Sequence, residues 1–128
     1  MSRRELFPII NVDAIEPVHT FYEAVLGATL AYRFPADGDP VYITLTIGRS
    51  TLALGVGTGP AMYGEVPLPA SGHAVDICVY VPDLGAAIDR APAAGGSVVV
   101  PAMDTPWGER VAYLRDPQGT MLLVIQDT

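Results

Sequence analysis

The stretch Asp104-Thr105-Pro106-Trp107-Gly108-Glu109-Arg110-Val111-Ala112-Tyr113-Leu114-Arg115-Asp116-Pro117-Gln118-Gly119 organises the chain. It carries the only tryptophan, Trp107, set between Pro106 and Gly108. Arg110 to Leu114 reads as a short strand. Asp116-Pro117-Gln118-Gly119 then has Pro at the second turn position and Gly at the fourth, the residue types of a type I turn. Thr120 to Ile125 is nearly all apolar and reads as a buried strand, with Gln126 closing it. A rigid loop beside a hairpin therefore holds a large aromatic. Trp107 either offers its ring to a ligand or plugs the rim of a core.

Upstream of this stretch the same order of elements occurs twice. In the second half, His73 to Val81 alternates as a strand, with Val75, Ile77, Val79 and Val81 on one side. Asp83 caps a helix carrying Leu84, Ala87, Ile88 and Ala91, which Pro92 is expected to break or kink. Gly95-Gly96 closes the helix, and Ser97 to Val100 is a further strand. In the first half, Leu6 to Val12 reads as a strand in which Pro8 marks an edge position or the strand start. Asp13 is positioned to cap a helix whose Ile15, Val18, Tyr22, Val25 and Leu26 share one face, with Pro17 in the first turn and Gly27 at the end. Thr29 to Phe34, Val41 to Ile47 and Thr51 to Val56 are the strands that follow. Val12-Asp13-Ala14-Ile15 corresponds to Val81-Pro82-Asp83-Leu84. The expectation is one domain over residues 1–128. It is built from two strand-helix-strand-strand-strand modules, about 5–57 and 73–127, joined by a Gly/Pro-rich linker over 58–72.

Composition narrows the function. The chain has 128 residues, a formal net charge of −7, and seven arginines as its only Lys/Arg residues. Nucleic acid needs clustered basic side chains, so it is not an expected partner. An acidic surface attracts cationic ligands instead. No apolar run approaches the roughly 20 residues of a membrane helix, and the first residues lack a signal-peptide pattern. A cytoplasmic location without membrane attachment is expected. The single cysteine, Cys78, forms no intrachain disulfide and no zinc cluster, and between Ile77 and Val79 it reads as core.

The doubled module, together with Pro106-Trp107-Gly108-Glu109-Arg110 and Leu114-Arg115-Asp116-Pro117-Gln118-Gly119, resembles the vicinal oxygen chelate superfamily. This group includes glyoxalase I, extradiol dioxygenases, and fosfomycin and bleomycin resistance proteins. The Trp-Gly and Arg-Asp-Pro-x-Gly elements are closest to bleomycin-binding members. The resemblance implies an α+β fold, two βαβββ repeats forming a curved mixed sheet around a groove, and a homodimer. Metal-dependent members place ligands on four strands. Those positions fall here on Phe7, Ala53, Asp76 and Leu123, and three of the four cannot bind a metal. A slipped alignment would substitute His73. No metal or other cofactor is expected, and no catalytic set is visible. Strand parity puts Phe7, Ala53, Asp76, Cys78, Met121 and Leu123 on the groove face. The resemblance matches Tyr42 and Trp107 to the two aromatics that sandwich a planar ligand. The candidate ligand-binding residues are thus Trp107, Tyr42, Asp76, Phe7, Tyr113, Glu109, Cys78 and Leu123. The expected partner is an aromatic or planar natural product, bound and sequestered as in antibiotic resistance by drug binding. The alternative is an enzyme of the same superfamily: a glyoxalase-like lyase, a dioxygenase, or a metal-free isomerase with Asp76 as base.

Overall fold

The computed structural model describes residues 4–56 and 75–128. The expected linker over 58–72 and His73 lie outside the described residues. The elements run β1 (Ile9–Asn11), α1 (Ile15–Leu26), β2 (Thr29–Phe34), β3 (Tyr42–Ile47), β4 (Ser50–Gly55), β5 (Ile77–Val81), α2 (Leu84–Ala93), β6 (Ser97–Asp104), β7 (Arg110–Arg115) and β8 (Met121–Gln126). They form two four-stranded mixed sheets, ordered β1-β4-β3-β2 and β5-β8-β7-β6. In each sheet the module's first strand pairs parallel to its last, and the other pairs are antiparallel. The doubled βαβββ pattern expected from the sequence is the observed fold.

The chain divides into two compact units. Among the described residues, one comprises 4–15 and 28–56, the other 16–27 and 75–128. In the first unit, β3 alternates as its sequence requires: Ile43 and Leu45 are buried, while Tyr42 and Thr44 are partly open. Tyr42 meets Tyr32 edge-on at 6.2 Å between ring centroids. β1 is an edge strand and shorter than expected. Pro8 has no N–H for the ladder and contributes only its carbonyl, which accepts from Ala53 N at 3.0 Å.

The second unit includes α1, the helix of the first module. Phe21 and Tyr22 of α1 are fully buried, each worth roughly 1.5–3 kcal/mol on the apolar-burial scale. The Tyr22 phenol donates to Asp116 Oδ2 at 2.7 Å across 94 residues of sequence. Gly96 sits so close that a Cβ there would lie 2.4 Å from Phe21 Cε2 and 2.5 Å from the Arg115 carbonyl oxygen. α2 begins as expected, with Asp83 accepting from Ala86 N at 3.0 Å. Its buried residues, Leu84, Ala87 and Ala91, lie on one side, and the helix packs against β6, β7 and β8. Pro92 does not break α2, which continues to Ala93. In the last turn a proline forfeits only one intrahelical bond, to the Ile88 carbonyl. β6 extends to Asp104, beyond the expected Val100, although it contains Pro101. It is an edge strand with register shifts between Val98 and Val100 and between Val100 and Met103. A residue without an N–H is tolerated in such a place.

Candidate ligand-binding face

The two faces of the second sheet differ in kind. Ala112, Leu114, Leu122 and Val124 are fully buried on one face. On the other, register aligns Cys78, Leu123 and Tyr113 in one row and Tyr80, Ile125 and Val111 in the next. Val111 and Ile125 are buried and floor this face, while Leu123 and Tyr113 are half-buried and Cys78 and Tyr80 are exposed. Asp76, just before β5, is exposed, and its Oδ2 accepts from the Tyr113 hydroxyl at 3.4 Å.

Trp107 is carried by the turn between β6 and β7. Gly108 N donates to the Thr105 carbonyl at 3.1 Å, and Gly108 takes a φ of +93°, which a side chain would strain. Thr105 N donates to the Glu109 carbonyl at 2.7 Å, and Glu109 N returns a bond to Thr105 Oγ1 at 3.0 Å. Just outside the turn, Arg110 and Asp104 form an ion pair at 3.0 Å. The turn between β7 and β8 repeats this design. Gly119 N donates to the Asp116 carbonyl, Gly119 has a φ of +96°, and Thr120 N donates to Asp116 Oδ1 at 2.9 Å. In both turns a proline at the second position and a side-chain oxygen at the first fix the backbone. The Trp107 ring therefore stands on a tied loop, and it is 70% exposed. That exposure excludes a core plug.

Glu109 joins two aromatics. Its Oε1 accepts from the Trp107 indole N–H at 2.8 Å, and its Oε2 accepts from the Tyr80 hydroxyl at 3.1 Å. The Tyr80 phenol is held above its ordinary range by that hydrogen bond first and then by the Glu109 charge. The Tyr113 phenol is also raised, by desolvation first and then by the Asp76 charge and hydrogen bond.

Six of the expected site residues, Trp107, Glu109, Tyr113, Asp76, Cys78 and Leu123, thus belong to the second unit. Phe7 and Tyr42 belong to the first unit. The reading of Cys78 as core is corrected: its thiol is free and exposed, because β5 is an edge strand and the 76/78/80 parity faces away from α2. Ala53 and Met121, expected on the groove face, are buried. Tyr80 was missed by the sequence reading, although Asp76, Cys78 and Tyr80 recur at the two-residue period that marks one face of a strand.

At the positions where the family resemblance places metal ligands, three of the four side chains carry no donor atom. Phe7, Ala53 and Leu123 offer only hydrocarbon, and no group of three His, Cys, Asp or Glu side chains comes together among the described residues. His19, on α1, lies beside Glu23 at 3.2 Å. Among the described residues no helix is long and apolar enough to cross a membrane.

Comparison with known proteins places this architecture. The model of the Glyoxalase/Bleomycin resistance protein/Dioxygenase superfamily matches residues 7–124. An uncharacterised protein of Mycobacterium bovis, Mb0911c, is 32% identical over 117 residues, which is 89% of this chain and 77% of that protein. CFP32 of the same organism, provisionally named a glyoxylase, is 34% identical over 106 residues, covering 83% of this chain but 37% of CFP32. Among solved structures, TioX from Micromonospora sp. ML1 has a TM-score of 0.74 at 24% identity, covering 98% of this chain and 100% of TioX. The hypothetical protein SA1046 from S. aureus has a TM-score of 0.79 at 21% identity, covering 99% of this chain and 96% of that one. The chain belongs to the Glyoxalase/Bleomycin resistance protein/Dioxygenase superfamily.

Proposed function

We propose that this protein binds and sequesters a bulky, partly aromatic natural product without a metal ion, as in antibiotic resistance by drug binding. The observation that carries the reading is Trp107. A 70% exposed indole is held by a tied turn and hydrogen-bonded through Glu109 to a second exposed aromatic, Tyr80. Large exposed aromatics on rigid backbone give contact area at low entropic cost, as binding sites require. Leu123, Val111 and Ile125 supply an apolar floor, and Asp76, Glu109 and Tyr113 supply polar contacts at its margin. Tyr42 enters this proposal through the family resemblance alone.

The test is a fluorescence titration with planar aromatic antibiotics. Trp107 is the only indole, so its emission reports this face without background. A ligand should quench it and saturate at one per chain. Unchanged emission across the panel, with no thermal stabilisation, would contradict the reading. A ligand at 100 times its dissociation constant adds roughly 2.7 kcal/mol of stability.

A second reading is an enzyme of the same superfamily, favoured by the Asp76–Tyr113 pair beside an exposed thiol and by the similarity to CFP32. In a metal-free isomerase Asp76 would abstract the proton. Asp76→Asn would then abolish turnover of a bound compound, whereas a binding protein shows no turnover before or after the substitution.

A further inference from the structure

We infer that the ligand of this face is a planar organic cation, selected by Glu109 and Asp76; the inference rests on the binding reading above and specifies its ligand class. Three aromatic side chains stand at the face, and each donates its polar hydrogen to a carboxylate. Trp107 and Tyr80 donate to the two oxygens of Glu109, and Tyr113 donates to Asp76. An indole or phenol that donates to an anion gains electron density in its ring. That strengthens the negative potential above the ring face, the part a cation seeks. Trp107 and Tyr80 are 70% and 62% exposed, so these ring faces are open to a ligand.

The surrounding charges point the same way. Asp127 adds a third negative charge felt by Tyr80. The two arginines of β7 have partners of their own. Arg110 Nη1 is paired with Asp104 Oδ1 at 3.0 Å, and Arg115 Nη1 donates to the Gly119 carbonyl at 2.6 Å. The chain has no lysine, and its formal charge of −7 draws cations toward it over a longer range. An anionic ligand would bring its charge against the carboxylates of Glu109 and Asp76. A neutral one would gain stacking and apolar contact only.

The experiment compares one ring system in three charge states by calorimetry at slightly alkaline pH. The probes are 9-aminoacridine as the cation, acridine as the neutral ring and acridine-9-carboxylate as the anion. The cation should bind roughly tenfold more tightly than acridine, and the anion most weakly, with the cation's advantage shrinking as salt is raised. Glu109→Gln keeps an acceptor for Trp107 and removes the charge. It should narrow the ratio between 9-aminoacridine and acridine by several-fold, and its melting temperature verifies that the variant folds. If the three probes bind alike, or the ratio survives Glu109→Gln and Asp76→Asn together, the cation preference is wrong while the binding reading stands. If no probe binds and the antibiotic panel also leaves Trp107 unquenched, both fall.

Discussion

Asp116 is 3% exposed, yet its carboxylate has three donors: Gln118 N at 2.8 Å, Thr120 N at 2.9 Å and the Tyr22 hydroxyl at 2.7 Å. Tyr22→Phe leaves this buried anion one donor short. The loss should be about 1.5–3 kcal/mol, the range for a bond to a charged group, read by urea unfolding. The same pair sets an alkaline limit. Burial first, then the Asp116 charge and hydrogen bond, push the Tyr22 phenol far above its ordinary 10.0. The folded protein keeps the proton, while the unfolded chain releases it above that value. The stability Tyr22 contributes is therefore complete below pH 10.0 and falls as pH rises past it, by up to about 1.4 kcal/mol per unit. Tyr22→Phe should flatten that fall. If the slope between neutral and strongly alkaline pH is the same in both proteins, Tyr22 is not its source.

At the scale of elements, local signals were legible and long-range ones were not. The repeat could be read because each landmark acts within a few residues. Asp83 caps its own helix, Gly27 and Gly95 take positive φ at helix ends, and Asp116-Pro117-Gln118-Gly119 closes its own turn. That the turn holding Trp107 shares this design was also written in Thr105-Pro106-Trp107-Gly108, though the sequence reading took it only as a loop. The membership of α1 in the second unit was not legible, because it rests on a contact spanning 94 residues. Cys78 has two readings in the sequence, core from its apolar neighbours and groove face from strand parity; the thiol is exposed, because those neighbours point to the opposite face of the strand. Two substitutions test these elements. Gly96→Ala forces a Cβ against the Arg115 backbone and the Phe21 ring, so it should cost about 3 kcal/mol or more in thermal or urea unfolding. Thr105→Val leaves Glu109 N without its side-chain acceptor. It should cost about 1–2 kcal/mol and raise the hydrogen-exchange rate of the Glu109 amide. An unchanged rate would mean that the turn is held by its backbone bonds alone.

For the whole molecule, family membership fixes the fold, while the exposed chemistry of the second sheet carries the functional reading. Edge strand β2 leaves Leu30, Tyr32 and Phe34 exposed, with a bulge between Leu30 and Tyr32 that puts Leu30 on the face of Leu45 and the two aromatics on the face of Tyr42; the family resemblance implies a homodimer. Sedimentation at micromolar concentration should give a dimer, and a monomer throughout would contradict that expectation. The claim that matters most is that Trp107 is a ligand contact and not a structural one. It is tested most directly by measuring folding stability and ligand affinity together for Trp107→Ala. Stability should stay within about 0.5 kcal/mol of the parent, as for exposed positions generally. Affinity for a planar aromatic ligand should fall by about 2 kcal/mol, from stacking and buried area together. A loss of several kcal/mol in folding with affinity intact would make Trp107 a structural residue and contradict its role as a ligand contact.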